Sequence, residues 1–224
     1  MFTTIQRHEI AENTSLVKAI FRLRKRVFHD QLGWAVPVTG DEEHDAYDAM
    51  GATYLVWCSD DKATLYGSLR LIATTRPTLL HDVFHATHGR NPALIDAAIW
   101  EGTRMCIDAA AIARDFPDMD PADGFNLLFV ALCEVGLALG ITRIVSNFEA
   151  CMSRVYRRAG LAYVLHGRAD GYGAKTVHCA SFAVTEQVRA GLHARHGLPG
   201  PLFTAPATFR AMGVGANARA REVA

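Results

Sequence analysis

The sequence predicts a single-domain α/β protein with a mixed, twisted sheet flanked by helices. Strand-like and helix-like runs alternate along the chain without an internal repeat or a low-complexity linker before residue 200. The length of 224 residues and the hydrophobic share of 50% are sufficient for one large hydrophobic core. We expect the domain to span residues 1–198 and the Pro-, Ala- and Gly-rich residues 199–224 to form a disordered tail.

The N-terminal half predicts one long helix followed by two strands. Apolar residues recur at helical spacing over residues 15–31 and predict an amphipathic helix. A loop with glycines, a proline and an acidic cluster follows, up to residue 51. The β-rich runs 52–58 and 63–73, joined by a short polar stretch, predict a hairpin.

The C-terminal half predicts strands that alternate with helices. Asp120 and Pro121 are a favourable helix start, because aspartate caps and proline suits the first helical position. In order, we expect a helical turn at 79–85, a strand at 99–107, a helix from 121 to the stop at Gly140, a β-α-β unit at 141–147, 149–159 and 161–165, a strand at 176–184 and a helix at 185–196.

Composition argues against several classes of protein. Lys plus Arg and Asp plus Glu both number 23, so the formal charge is zero, whereas a dedicated nucleic-acid binder needs a basic excess. We see no apolar run of membrane-spanning length and no signal sequence. The five cysteines have no disulfide-like or C-x-x-C spacing, so we expect free thiols and a cytoplasmic location.

The N-terminal third contains charged groups that need partners. Arg24 and Phe28 lie four residues apart and share one helix face, and Trp34 follows in the loop. Arg70 lies in an apolar strand, where a buried guanidinium would need a carboxylate such as Asp45 or Asp48. The alternative is a purely structural ion pair beside a solvated acidic loop.

A second set of polar residues lies in the strand expected at 99–107. Glu101 and Arg104 would face opposite sides of a regular strand, so one would point inward and one outward. Gly102 between them permits a bulge that would bring both to one site.

Other patterns carry less information. His81, His85 and His88 lack a metal-binding motif, and we expect no metal site. Phosphate-binding loops and a nucleophile elbow are absent from the sequence, which favours direct transfer between two bound substrates. Arginines cluster near the C-terminal end of one expected helix, at Arg154, Arg157 and Arg158. They would either interact with the helix dipole and water, or bind a phosphate or an acidic protein.

Taken in order, these residues resemble the acyl-homoserine-lactone synthases, the LuxI-type autoinducer synthases. The resemblance covers about residues 15–165 and includes the words Leu32-Gly33-Trp34 and Gly67-Ser68-Leu69-Arg70-Leu71. The matching positions are Arg24, Phe28, Trp34, Asp45, Asp48, Arg70, Phe84, Glu101 and Arg104.

The resemblance implies a fold like that of the GCN5-type N-acetyltransferases and a reaction between two substrates. These are S-adenosyl-L-methionine and an acyl thioester on acyl carrier protein or coenzyme A. The products would be an N-acyl-L-homoserine lactone for quorum sensing, 5′-methylthioadenosine and the free thiol carrier. Glu101 would be the catalytic base, and the other eight positions would bind S-adenosylmethionine or support its site through ion pairs. No cofactor and no obligate protein partner are implied.

The acyl chain would need an apolar tunnel, and the cationic arginines 154, 157 and 158 would suit the docking of an acidic carrier. Candidate tunnel residues are Met105, Leu128, Val145, Ser146 and Met152. Two alternatives remain: a GCN5-type N-acetyltransferase using acetyl-CoA, and a non-catalytic ligand-binding module on the same scaffold. The first should show a pyrophosphate-binding loop that we do not find, and the second would not need Glu101 with its arginines and aspartates.

Overall fold

A mixed sheet of seven strands forms the centre of the structure, a computed structural model that describes residues 1–173 and 175–211. Within it β6 and β7 are parallel and every other pairing is antiparallel. In spatial order the strands are β1 (Phe2–Ile5), β4 (Thr53–Cys58), β5 (Leu65–Ala73), β6 (Ile99–Ile107), β7 (Arg143–Glu149), β9 (Val177–Ala183) and β8 (Val164–Ala169), while β2 (Val38–Thr39) and β3 (Glu42–Glu43) form a separate hairpin.

Helices cover both faces of this sheet. The helices are α1 (Thr14–Arg24), α2 (Leu79–Asp82), α3 (Ala109–Asp115), α4 (Gly124–Leu139), α5 (Ser153–Ala159) and α6 (Glu186–His196). Alternation along β4 divides the core, because Leu55 and Trp57 join the cluster with α4 whereas Tyr54 and Val56 join the cluster with α1. The mixed sheet with flanking helices confirms the expected fold class.

The parallel pair β6–β7 creates the opening in the sheet. Its ladder contains three residue pairs and ends where Glu101 lies opposite Val145. Beyond that point the two strands separate, and a cleft lies between their ends. A parallel ladder that stops early in this way leaves space for ligands in the middle of the fold.

The central helix α4 is strongly apolar. Residues Pro121–Leu139 are long and apolar enough to cross a bilayer by length and composition, a property that the sequence analysis overlooked. More than half of that segment is buried in the fold, and Leu128, Val130 and Val135 are 0% exposed. Its hydrophobicity is therefore accounted for by packing against the sheet. Asp120 caps a short 3-10 turn, Pro121–Asp123, that leads into α4, and Gly140 ends α4 as expected, in the left-handed conformation with φ 75°.

The helix expected at 15–31 has two parts. After α1, residues Lys25–Gln31 form a π-helix, which contains the buried Phe28. Apolar periodicity does not separate these two helix types, because both place residues four apart on nearly the same face. The sequence analysis also missed β1 and α3, whose polar or alanine-rich sequences carry weak signals.

The start of the expected tail differs from the expectation of disorder. Residues 199–211 run along the edge of the sheet, where Phe203 forms a parallel bridge with Phe2. Gln6 and Arg210 exchange two hydrogen bonds, each of 2.9 Å. Buried Phe203 supplies the apolar surface that overall composition concealed. Residues 212–224 of the expected tail lie outside the described residues.

Candidate active site

A buried network of three arginines and three carboxylates lies between α1, the β2–β3 hairpin and β5. Arg24 donates to Glu43 Oε2 at 2.6 Å and to both oxygens of Asp48 at 2.9 and 3.1 Å. Arg70 pairs with Asp45 and, at 3.0 Å, with Asp48. The carboxylate partners that Arg70 was expected to need are thus both present.

Mutual pairing keeps this network charged. Burial alone would raise the pKa of the Asp48 carboxyl, but the charge and hydrogen bonds of Arg24 and the charge of Arg70 hold it well below its usual range. Burial likewise acts to lower the pKa of Arg24, and the two carboxylates Asp48 and Glu43 together raise it instead. Arg24 and Asp48 therefore both carry their charges near neutral pH.

Glu43 is the member that the sequence analysis missed. Its side chain is 0% exposed, and its oxygens accept from Arg24 and also from Arg104, at 3.1 to 3.3 Å. Charge balance was the available signal, because three buried arginines require three anions and the sequence analysis assigned only Asp45 and Asp48. Five acids in the stretch 41–48 look alike in sequence, and only the β2–β3 hairpin turns Glu43 inward.

A bulge in β6 brings Glu101 and Arg104 to the same side of the sheet, as expected, but its position is different. Gly102 pairs regularly with Leu71, whereas Arg104 adopts a left-handed conformation with φ 57°, where the ladder to β5 skips one residue. Gly102 is needed for close packing instead, since a Cβ there would lie 3.1 Å from Ile144 Cγ2.

Glu101 is a buried carboxyl group without a hydrogen-bond partner among the described residues. It is 1% exposed and lies at the last pair of the β6–β7 ladder. Burial raises its pKa from 4.5 to about 7, and the positive charge of Arg70 and the nearby backbone N–H groups of Leu80 and Leu79, which lie outside hydrogen-bond geometry, oppose that rise. A carboxyl group poised near neutral pH can accept and release a proton during a reaction.

The cleft begins next to Glu101 and has a volume of about 380 Å³. One wall comes from β6 after Glu101, from Gly102 to Met105, and the other from β7, from Ser146 to Glu149. Thr103 joins the cleft to the ion-pair network, because its Oγ1 accepts from Arg70 Nε at 3.1 Å.

Aromatic rings line the solvent end of the cleft. Phe28 and Trp34 stack with ring centroids 5.1 Å apart, and the Arg104 guanidinium lies over Phe28 at 5.7 Å. The Trp34 indole N–H donates to Glu149 Oε1 at 3.2 Å, across the cleft. Phe84 packs on Tyr172 with ring centroids 4.9 Å apart, and both rings line the cleft. The structure thus gathers all nine residues of the family pattern in or beside one cleft.

The inner end of the cleft is apolar, and it corrects part of the expected acyl pocket. Met105, Ser146 and Met152 line it, together with residues that the sequence analysis did not assign to the pocket, including Phe125, Phe129 and Phe182. Leu128 and Val145 do not belong to it. Leu128 points toward Gly67 in the core, and Val145 packs with Leu80 on the opposite face of the sheet.

The remaining candidates lie away from these contacts. Arg154, Arg157 and Arg158 are exposed on α5. His88 contacts the carbonyl of Leu80, and within the described part of the chain no group of three His, Cys, Asp or Glu side chains is placed to hold a metal ion. The five cysteines are free.

The fold belongs to the N-acetyltransferase-like class. A structure assigned to the N-acetyltransferases of Lactobacillus plantarum shares the fold at 16% identity, with a TM-score of 0.51 over 82% of this chain and 98% of that chain. Residues 7–190 match the family model described as autoinducer synthase. The chain therefore belongs to the autoinducer synthase family.

Two relatives place the chain more closely within that family. An acyl-homoserine-lactone synthase of Rhizobium etli is 37% identical over 143 residues, which are 63% of this chain and 65% of that protein. The match thus spans just under two thirds of that relative's length. The structure of a CoA-dependent acyl-homoserine lactone synthase, BjaI, with SAM and isopentyl-CoA, has a TM-score of 0.77 at 24% identity over 92% of this chain and 94% of that chain.

Proposed function

We propose that this protein is an acyl-homoserine-lactone synthase. It transfers an acyl group from a thioester to the amine of S-adenosyl-L-methionine and then releases N-acyl-L-homoserine lactone and 5′-methylthioadenosine. Family membership over residues 7–190 supports this assignment. The observation that carries the mechanism is Glu101, a buried carboxyl group whose pKa is raised to about 7 at the head of the cleft.

Acylation needs a neutral amine, because the protonated amine has no electron pair for attack on a carbonyl carbon. Glu101, whose neighbours Gly102 and Thr103 form the cleft wall, takes a proton from this amine directly or through one bridging water. The nitrogen attacks the thioester carbonyl, the tetrahedral intermediate collapses, and the C–S bond breaks. The nitrogen loses a second proton as it becomes the amide, so the departing thiolate takes up one of the two protons and the other passes to solvent.

Lactonisation follows within the acylated intermediate. The methionine carboxylate oxygen attacks the γ-carbon, and the bond between this carbon and the sulfonium sulfur breaks. The electron pair passes to sulfur, so that methylthioadenosine leaves as a neutral thioether. The cleft contributes by holding the substrate folded on itself, which gives the intramolecular attack its advantage.

The two ends of the cleft suit the two substrates. Stacked Phe28 and Trp34, at the solvent end, favour an adenine ring or a sulfonium cation. The arginines there are already paired with carboxylates, so we assign the network mainly to rigid support of this site. The apolar inner end, with Met105, Ser146 and Met152, would take the acyl chain.

The donor is an acyl thioester on acyl carrier protein or on coenzyme A. Arg154, Arg157 and Arg158 are exposed on α5, which begins directly after the cleft residue Met152. Their positive charges would attract either the acidic surface of a carrier protein or the phosphates of the coenzyme. Replacing all three by glutamine should raise KM for the donor that is used, with little change for S-adenosylmethionine.

The deciding experiment combines purified protein, S-adenosylmethionine and a panel of acyl carrier proteins and acyl-CoA thioesters of graded chain length. Mass spectrometry then measures lactone and methylthioadenosine. We expect both products in equal amounts with at least one donor. A folded protein that yields neither product with any donor would refute the assignment, and acyl transfer to another amine would favour an ordinary N-acetyltransferase.

A further inference from the structure

A buried carboxylate ties the C-terminal segment to the central helix. Glu134 of α4 has a side chain that is 4% exposed, and its Oε1 lies 2.6 Å from Nε2 of His193 on α6. Its Oε2 accepts from the backbone N–H groups of Leu202 at 2.9 Å and Phe203 at 2.7 Å. One side chain thus joins α4, α6 and the segment 198–211, and we call this arrangement the C-terminal clamp.

The clamp lies behind the inner end of the cleft. That end is lined by Leu132 and Cys133 of α4 and by Val184 and Val188, which precede and begin α6. Val184 belongs to the same hydrophobic cluster as the clamp residue Phe203. The apolar wall of the cleft and the clamp residue Phe203 therefore belong to one hydrophobic cluster.

Besides the clamp, α6 packs on α4 and makes polar contacts with the end of α5. Leu192 is the only residue of this helix that is fully buried. Arg195 donates to the carbonyl of Arg158, and the His196 ring lies 3.1 Å from the carbonyl of Ala159. At its base the contact is tight, since a Cβ at Gly136 of α4 would lie 2.9 Å from Val184 Cγ1. This close packing leaves no room for α6 to move inward at its base.

We propose that the C-terminal clamp fixes the inner wall of the acyl cavity and thereby sets the longest acyl chain that the enzyme uses. This inference rests on the proposed function and adds specificity residues outside the cleft: Glu134, His193 and Phe203. Each methylene that a fixed apolar pocket cannot hold lowers the preference for a substrate about 10-fold or more. While the clamp holds the cavity wall in place, longer acyl chains incur this penalty. When the clamp is weakened, the penalty becomes smaller.

The test compares two ways of loosening the same segment. His193→Ala and Phe203→Ala weaken the clamp beside the cleft, while Gln6→Ala releases the far end of the segment at Arg210. We expect the ratio of turnover with a donor two carbons longer than the preferred one to rise about 10-fold in the clamp variants. KM for S-adenosylmethionine should stay unchanged, and Gln6→Ala should keep the wild-type ratio.

A second readout separates this inference from the proposed function. Binding of saturated fatty acids of graded length, measured by calorimetry, reports on the cavity without any turnover. If the folded clamp variants keep the wild-type length limit in both turnover and binding, or if Gln6→Ala shifts it equally, the clamp does not set chain length. A wild-type protein that forms no lactone would overturn the function instead, and the binding series would still decide on the clamp.

Discussion

The two faces of the central sheet bury side chains of opposite character: one face buries charged groups and the other buries apolar groups. On the side of α1, three arginines and three carboxylates are buried together, and each charge has a partner within 3.3 Å. On the side of α4, the inner cleft is lined mainly by apolar and aromatic groups. A fully paired network makes a rigid wall, whereas an apolar cavity leaves room for a flexible chain. The cleft joins the two, so a polar and an apolar substrate can meet.

Two buried glutamates make the same contrast within one site. Glu43 is surrounded by guanidinium groups, and both of its oxygens accept hydrogen bonds from arginines. Glu101 is equally buried but lacks a hydrogen-bond partner among the described residues, and its pKa is raised to about 7. A buried carboxylate that is paired with arginines keeps its charge and stabilises the structure. A buried carboxyl group without such partners has a raised pKa, which suits it to proton transfer.

The largest expected effect concerns the paired face. Arg24→Ala leaves Glu43 and Asp48 buried without their main partner, so the free energy of unfolding should fall by about 3–5 kcal/mol. Denaturant unfolding measures this loss. The matched control is Arg22→Ala on the same helix, which removes an exposed ion pair with Asp41 and should cost about 1 kcal/mol or less. Equal losses in the two variants would mean that the buried network does not support the fold.

The raised pKa of Glu101 should be visible in the pH dependence of the free energy of unfolding. Between its unfolded pKa of 4.5 and its folded pKa of about 7, the folded protein keeps a proton at Glu101 that the unfolded chain has lost. Stability from this group therefore falls as pH rises through that window, by on the order of 3 kcal/mol. Glu101→Gln removes the fall, so its melting temperature should exceed that of the wild type by more at pH 8 than at pH 5. The same difference at both pH values would show that Glu101 ionises normally.

The smallest effect is expected at the solvent end of the cleft. Trp34→Phe keeps the stacking on Phe28 and removes the indole hydrogen bond to Glu149. One such bond contributes about 0.5–1.5 kcal/mol, so KM for S-adenosylmethionine should rise roughly two- to tenfold with kcat nearly unchanged. Steady-state kinetics test this. Trp34→Ala, which also removes the ring, should have the larger effect, and equal KM values for both variants would argue against stacking.

Sequence predicted the elements whose signals are local and missed those that depend on distant packing. The strand at Ile99–Ile107 and the Gly140 helix end follow from composition and glycine chemistry. Arg70 was identifiable because a charge in an apolar strand is costly without a partner. The location of the bulge at Arg104, by contrast, depends on how β5 and β6 pair.

The candidate site shows the same division. The family pattern identified nine residues that the structure gathers around one cleft, but it could not identify Glu43, whose role depends on the β2–β3 hairpin. Of the residues expected to line an acyl pocket, Leu128 and Val145 lie outside the cleft, because an apolar residue in a helix or strand can face either the cleft or the core. Which side it faces is decided by the register of the sheet.

The rate of methylthioadenosine release by Glu101→Gln tests the account most directly. Calorimetry should show that the variant binds S-adenosylmethionine like the wild type, because the aromatic rings at the solvent end of the cleft and the ion-pair network are intact. Its turnover at pH 8 should be lower by about 10²-fold or more, since glutamine cannot accept the proton of the amine. Turnover close to that of the wild type would contradict the assignment of Glu101 as the general base.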